Sequence, residues 1–228
     1  MRTYTVRRAR TAGPRPEIDI DFVIHGAEGG RAGSASSWAA TAEPGDRIKI
    51  IGPNRRSGHS GGIEWRPPVG SPENPVEVLL VGDETAVPAV CSVLESLPVG
   101  YHGHAVLEVP RAEDFQPIET AADIEVTWLS RGARRHGELL DEAVVAAVGK
   151  RTTGSSSAPR APVGFDSANT VLWERAVPAS VEAGFYAWVA GEAGTVRALR
   201  RRLVHDLGLD RSNVAFMGYW RKGRSAAV

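Results

Sequence analysis

Residues 76–97 read VEVLLVGDETAVPAVCSVLESL, and the fold turns on them. Val76 to Val81 is an apolar run of strand length, the pattern of a buried strand. Gly82 ends it, and Asp83, Glu84 and Thr85 make a polar edge. Apolar residues then recur at Val87, Val90, Val93, Leu94 and Leu97, which is helical spacing. Thr85 or Asp83 can cap that helix, and Pro88 is tolerated in its first turn. Strand, tight turn and helix form the unit that builds open α/β sheets, with ligands at the carboxyl ends of the strands.

The alternation continues to the end of the chain. Strands are expected at 76–81, 104–109, 124–129, 185–190 and 213–217, and helices at 85–97, 137–148 and 193–207. This is an α/β pattern. Residues 149–170, rich in Ser, Gly, Pro and Arg, are expected to be a mobile surface loop. The region before Val76 is different. Residues 1–53 read as β structure: RTYTVRRA is strand-like, and Ile18, Ile20, Phe22 and Ile24 alternate along a second strand. SWAATAEPGD fits a short helix ending at Pro44-Gly45, and Arg47 to Ile51 fits another strand. Residues 54–75 read as a linker with one short strand around Ile63–Trp65.

Bulk properties narrow the function. The 228 residues hold 27 Lys plus Arg against 27 Asp plus Glu, so the formal net charge is zero. That argues against a general binder of nucleic acid or of a membrane surface. No apolar run reaches the length of a membrane span, and the N-terminus is not signal-like, so a cytoplasmic protein is expected. Cys91 is the one cysteine. It excludes an internal disulfide framework, and its place on the apolar helix face makes it a small core residue. His102 and His104 lie one residue apart on a strand without a third ligand pattern, so no metal site is expected. A serine nucleophile elbow, a Walker loop and a G-x-G-x-x-G are all absent from the sequence.

Several positions carry candidate chemistry. Arg2 and Tyr4 share one face of a strand, with Thr5 on the other. Asp83-Glu84-Thr85-Ala86 is either a helix cap or a ligand edge, and its two carboxylates partly offset the attraction of a helix N-terminus for anions. Arg131, Arg134 and Arg135 are close enough to serve a phosphate, or form a solvated basic turn. Gly191 permits close approach of a ligand, and Glu192 is a carboxylate at a helix start. Tyr219, Trp220, Arg221 and Lys222 put aromatics and cations at a strand's carboxyl end, which suits an anionic or π-rich ligand.

VGDETAVPA (Val81–Ala89), AGE (Ala190–Glu192) and GYWRKG (Gly218–Gly223) together resemble the siderophore-interacting proteins. So do R-x-Y-T (Arg2–Thr5), DIDFVIHG (Asp19–Gly26) and GSASSWA (Gly33–Ala39), in this order. These are flavin-dependent ferric-siderophore reductases related to ferredoxin reductases. The resemblance implies a partial flavin-binding β-barrel with linker over 1–72. A Rossmann-like α/β NAD(P)H-binding domain would follow over 73–228.

It also implies FAD as cofactor, NADH or NADPH as electron donor with a ferredoxin-type protein as an alternative, and a ferric siderophore as substrate. Tyr4 and Thr5 would contact the flavin ring. Arg2 and His25 would lie near its ribityl-phosphate arm, with Asp21 in the same cofactor-binding set. Backbone N–H groups of Ala35 and Ser36 would bind the pyrophosphate. Asp83 and Thr85 would border the meeting point of flavin and nicotinamide, with Gly191 and Glu192 on the nicotinamide side. Ser130 and Arg131 would hold the adenosine ribose or its phosphate. Tyr219, Trp220, Arg221 and Lys222 would receive the siderophore.

No side chain is expected to act as a catalytic acid or base, because electrons pass through the flavin. Two departures stand out. Ser34 replaces a usual proline, and the chain starts at Met1, directly before R-x-Y-T, where the family carries the opening strands of the barrel. An incomplete barrel is expected to hold FAD weakly. A non-catalytic module that binds siderophore or nucleotide is the competing expectation.

Overall fold

The computed structural model describes residues 3–24, 34–52, 64–149, 173–176 and 184–223. The chain divides between Glu64 and Trp65 into two compact units. Among the described residues no helix is long and apolar enough to cross a membrane.

In the smaller unit, β1 (Val6–Arg10) pairs antiparallel with β2 (Glu17–Ile20). The register shifts between Val6 and Arg8, a bulge that turns the strand's start. Arg10 crosses the ladder to Glu17 at 3.1 Å and to both oxygens of Asp19 at 2.6 Å. Beyond the ladder, Tyr4 lies against Phe22 with ring centroids 4.5 Å apart, and Phe22 against Trp38 at 5.8 Å. Trp38 belongs to α1 (Ser34–Thr41). The structure corrects two expectations here. The second strand stops at Ile20, and residues 47–51 form no strand. Alternating apolar residues make a strand only where a neighbour takes their backbone groups. Among the described residues none does so at 47–51, and Ile51 is left 83% exposed.

The larger unit is a six-stranded sheet. In chain order its elements are β3 (Val76–Asp83), α2 (Val87–Ser96), β4 (Tyr101–Val109), β5 (Asp123–Ser130), α3 (Glu138–Gly149), β6 (Trp173–Glu174), β7 (Phe185–Glu192), α4 (Ala193–Arg200) and β8 (Val214–Trp220). The strands lie in the order β5-β4-β3-β7-β8-β6. All pairings are parallel except that of β6 with β8.

Residues of β3 feed two cores by turns. Val78 and Leu80 join Val90, Cys91 and Leu94 of α2 on one face. Leu79 and Val81 join Leu140 and Val144 of α3 and Val196 and Leu199 of α4 on the other. Burial on both faces is why this strand reads as an unbroken apolar run. Chain order reverses between β3 and β7, so the topological switch point lies between Asp83 and Glu192.

Trp65 and the residues after it belong to this sheet's unit. The Trp65 ring meets Tyr186 edge-on at 5.1 Å. Tyr101 donates its hydroxyl to the Pro68 carbonyl at 2.8 Å and accepts the Gly70 N–H at 3.1 Å. Local departures from the sequence reading have local causes. No side chain caps α2, whose N-cap is Ala86. Asp83 is instead taken by Thr85 and by more distant donors. The last helix changes at Arg201 into a π-helix, Arg201–Asp206, with Leu203 buried inside it. β6 was not anticipated. Glu174 ties it to Arg200 at 3.2 Å and Arg211 at 3.1 Å.

Candidate functional site

Three of the parallel strands end in an acid: Asp83 on β3, Glu108 near the end of β4 and Glu192 on β7. They are 1%, 0% and 8% exposed. A buried carboxylate is tolerated only when hydrogen-bonded, and each of these is.

Asp83 stands at the switch point. Its Oδ2 accepts the Glu192 backbone N–H at 2.7 Å, the Trp220 indole N–H at 3.0 Å and the His136 Nε2 proton at 3.0 Å. Its Oδ1 accepts both the backbone N–H (2.9 Å) and the hydroxyl of Thr85. Burial alone would raise the Asp83 pKa. The donors His136, Thr85 and Trp220 and the His136 charge outweigh it, and the pKa lies below the ordinary value. Burial would likewise lower His136, but the Asp83 bond and the charges of Asp83 and Glu84 raise it against the opposing Arg131. The two shifts both favour the imidazolium–carboxylate form of the pair. Trp220 meets the His136 ring edge-on at 5.1 Å.

Glu108 lies beside Asp83 in register. It accepts the N–H groups of Gly137 at 2.8 Å and Leu139 at 3.2 Å, where α3 begins. Arg131 donates to Glu108 at 3.1 Å and to both oxygens of Glu84 at 2.9 Å. Burial opposes the Arg131 charge, but Glu84 and Glu108 together raise its pKa further. Glu192 caps α4 through Gly194 N–H at 2.6 Å and Thr195 N–H at 2.9 Å, and accepts the Lys222 N–H at 3.1 Å.

Gly191 has φ +143°, and a Cβ there would fall 2.6 Å from the Asp83 carboxyl group. Its missing side chain makes room for Asp83. A register shift beside it sets Glu192 opposite Trp220 and leaves Tyr219 as the extra residue. Tyr219 is half-exposed, stacks on Trp173 at 6.0 Å and meets Trp188 edge-on at 6.1 Å. Among the described residues the buried Trp188 indole N–H has no acceptor.

The structure thus gathers Asp83, Thr85, Arg131, Glu192 and Trp220 at one edge, bonded to one another or through shared partners. Gly191 lines the Asp83 pocket. Ser130 ends β5 at the same edge, and Arg221 and Lys222 follow β8. In the smaller unit, Tyr4 and Thr5 precede β1, Asp21 follows β2 with Arg7 at 3.7 Å, and Ala35 and Ser36 open α1. Arg2 and His25 lie outside the described residues.

Glu108 and His136 were not singled out in the sequence. The available signal for Glu108 was a lone acid near the end of an apolar strand, repeated on β3 and β7. Asp83, Glu84 and His136 bring ligand atoms within 4.8 Å of one another, as a metal would need. Here Arg131 and the N–H donors already satisfy those carboxylates.

Residues 75–223 match the family model described as siderophore-interacting protein, and residues 1–57 match the siderophore-interacting FAD-binding domain. An uncharacterized protein of Mycobacterium tuberculosis is 30% identical over 99% of the chain, which spans 66% of that relative. The ferric vibriobactin reductase ViuB of Vibrio cholerae is 28% identical over 98% of the chain and 65% of its own length. Among solved structures, the siderophore-interacting protein SipS of Aeromonas hydrophila superposes with a TM-score of 0.65. It shares 28% identity over 98% of this chain and 69% of its own. The chain therefore spans about two thirds of these relatives, and from the two matched regions it belongs to the siderophore-interacting protein family.

Proposed function

We propose that the chain takes part in flavin-dependent reduction of a ferric siderophore, releasing Fe(II) in the cytoplasm. The electrons come from NADH, NADPH or another reductant such as a ferredoxin-type protein. The observation that carries this reading is the pair of family matches in sequence order, an FAD-binding domain and then the siderophore-interacting region.

The residues present suit FAD. The first turn of α1 holds no acidic side chain and opens with Ser34, Ala35 and Ser36, so a pyrophosphate meets small residues and no opposing charge. Tyr4 is half-exposed beside Phe22, a ring able to cover another ring. Ala35 and Ser36 would hold the pyrophosphate, Tyr4 and Thr5 the ring system, and Arg2, Asp21 and His25 the arm between them. Bound FAD supplies exchange between two-electron and one-electron chemistry. Iron enters as substrate, in a chelate whose hard oxygens hold Fe(III) far better than Fe(II).

Arg221 and Lys222, beside Tyr219, draw the anionic complex toward the end of β8. The bonded Asp83 fixes Trp220 behind them. No proton-transfer residue is required.

The test is to titrate the purified chain with FAD by fluorescence, then add a ferric siderophore and reductant under argon with a ferrous trap. FAD-dependent Fe(II) release is expected. Siderophore binding without turnover would favour the non-catalytic module.

A further inference from the structure

We propose that the starts of α3 and α4, at the carboxyl edge of the larger unit, reject the pyrophosphate of a dinucleotide, and that Glu108 and Glu192 decide this. Open α/β sheets hold a pyrophosphate on free backbone N–H groups where helices begin at this edge. Three helices of 8 to 12 residues begin here; the starts of α3 and α4 are already met by this chain's own carboxylates, whereas α2 has no side-chain cap.

At α3, Glu108 takes the N–H groups of Gly137 and Leu139. At α4, Glu192 takes those of Gly194 and Thr195. Before α2, Asp83 takes the Thr85 N–H with its side chain and the Ala86 N–H with its carbonyl. Pro88, inside the first turn, has no N–H to offer.

The charges point the same way. Asp83 and Glu84 face His136, and Glu84 and Glu108 face Arg131. Arg131, the cation best placed for a ribose phosphate, is clamped by Glu84 and Glu108 with its side chain 11% exposed. A phosphate at α3 or α4 would have to displace a buried carboxylate from donors that already satisfy it. The starts of α3 and α4 therefore do not fit the pyrophosphate of NADH or NADPH. The electron donor for the function proposed above is one that needs no pyrophosphate anchor at α3 or α4.

The experiment uses the full, isotope-labelled chain and ADP-ribose, which carries the pyrophosphate and adenosine but no redox ring. Amide resonances of Gly137, Leu139, Gly194 and Thr195 are expected to show no saturable shift up to about 1 mM. Saturation at those amides below about 100 μM overturns the proposal. The second arm is Glu192→Ser, which removes the carboxylate and keeps a short cap for α4. It is expected to tighten ADP-ribose binding at least about tenfold. A folded Glu192→Ser chain with unchanged binding overturns the role of the carboxylate, and the wild-type titration decides the matter if that variant does not fold. Neither arm contains flavin or iron, so failure of the proposed reduction and failure of this inference are read separately.

Discussion

Asp83 is fully enclosed and still ionised, because its two oxygens collect donors from four segments that the fold brings together: the turn after β3, the loop before α3, and the ends of β7 and β8. His136 is its charged partner, and the pH window follows from the two shifts. The His136 pKa is raised above its ordinary 6.5, so its stabilisation is fully present below that value and fades as pH rises through the raised one. The Asp83 pKa is lowered below its ordinary 3.8, so its stabilisation is present above that value and fades as pH falls through the lowered one. The bond is strongest between the two. His136→Gln should therefore cost about 1–2 kcal/mol near pH 5.5 and clearly less near pH 8.5, read from urea unfolding. A pH-independent cost would mean that His136 is not the ionised partner. Arg221 and Lys222 call for a different measurement, because in the proposed function their charges would act on encounter with the siderophore. Changing both to glutamine should raise KM for anionic ferric siderophores at low salt and leave neutral ones little changed. The difference should vanish as the screening length contracts to roughly 8 Å at physiological ionic strength. Equal kinetics across substrate charges at low salt would remove both residues from the entrance.

At the scale of elements, the end of β7 is the most constrained backbone in the edge. Gly191 combines a positive φ with a wall formed by the Asp83 carboxyl group. Gly191→Ala must either move Asp83 off its donors or distort the β7–β8 register. It should cost roughly 2–4 kcal/mol in stability, more than a typical point substitution. Gly45→Ala is a useful control. It also has positive φ but meets nothing within 4 Å, so its cost should come from backbone strain alone, about 1 kcal/mol. Similar melting shifts for the two would show that the Asp83 wall does not matter. The elements legible in the sequence are those whose burial is dictated along their own length. β3 and the apolar stripe of α2 are of this kind, and both cores bear them out. What was illegible depended on partners distant in sequence. Residues 47–51 carry strand-like alternation but find no ladder among the described residues. Trp173 and Glu174 form β6 because Glu174 reaches Arg200 and Arg211. The same logic divides the site. Asp83 and Glu192 stand beside recognisable helix starts. Glu108 enters through the β3–β4 register, which sets it opposite Asp83, and no local pattern carries that register.

On the scale of the whole molecule, the two units are built to different standards. The larger has an open, mostly parallel six-stranded sheet with a core on each face. The smaller has two short paired strands and one helix among its described elements, with Val6, Ile18, Ile24 and Ile50 exposed. A two-stranded ladder is marginal alone. Hydrogen exchange should therefore report amides of β3 and β7 opening only with global unfolding, and amides of β1 and β2 opening far more readily. Ligand linkage then turns this contrast into a test of where flavin binds. At FAD about 100-fold above its Kd, the binding region gains about 2.7 kcal/mol, or roughly 100-fold slower exchange. That slowing is expected over Tyr4, Thr5, β1 and the first turn of α1, where no acid opposes a pyrophosphate. It is not expected at Thr85, Gly137, Gly194 or Thr195, whose N–H groups are already held by carboxylates. Protection appearing at those four amides and not around α1 would place the flavin in the larger unit and remove Tyr4, Thr5, Ala35 and Ser36 from its site.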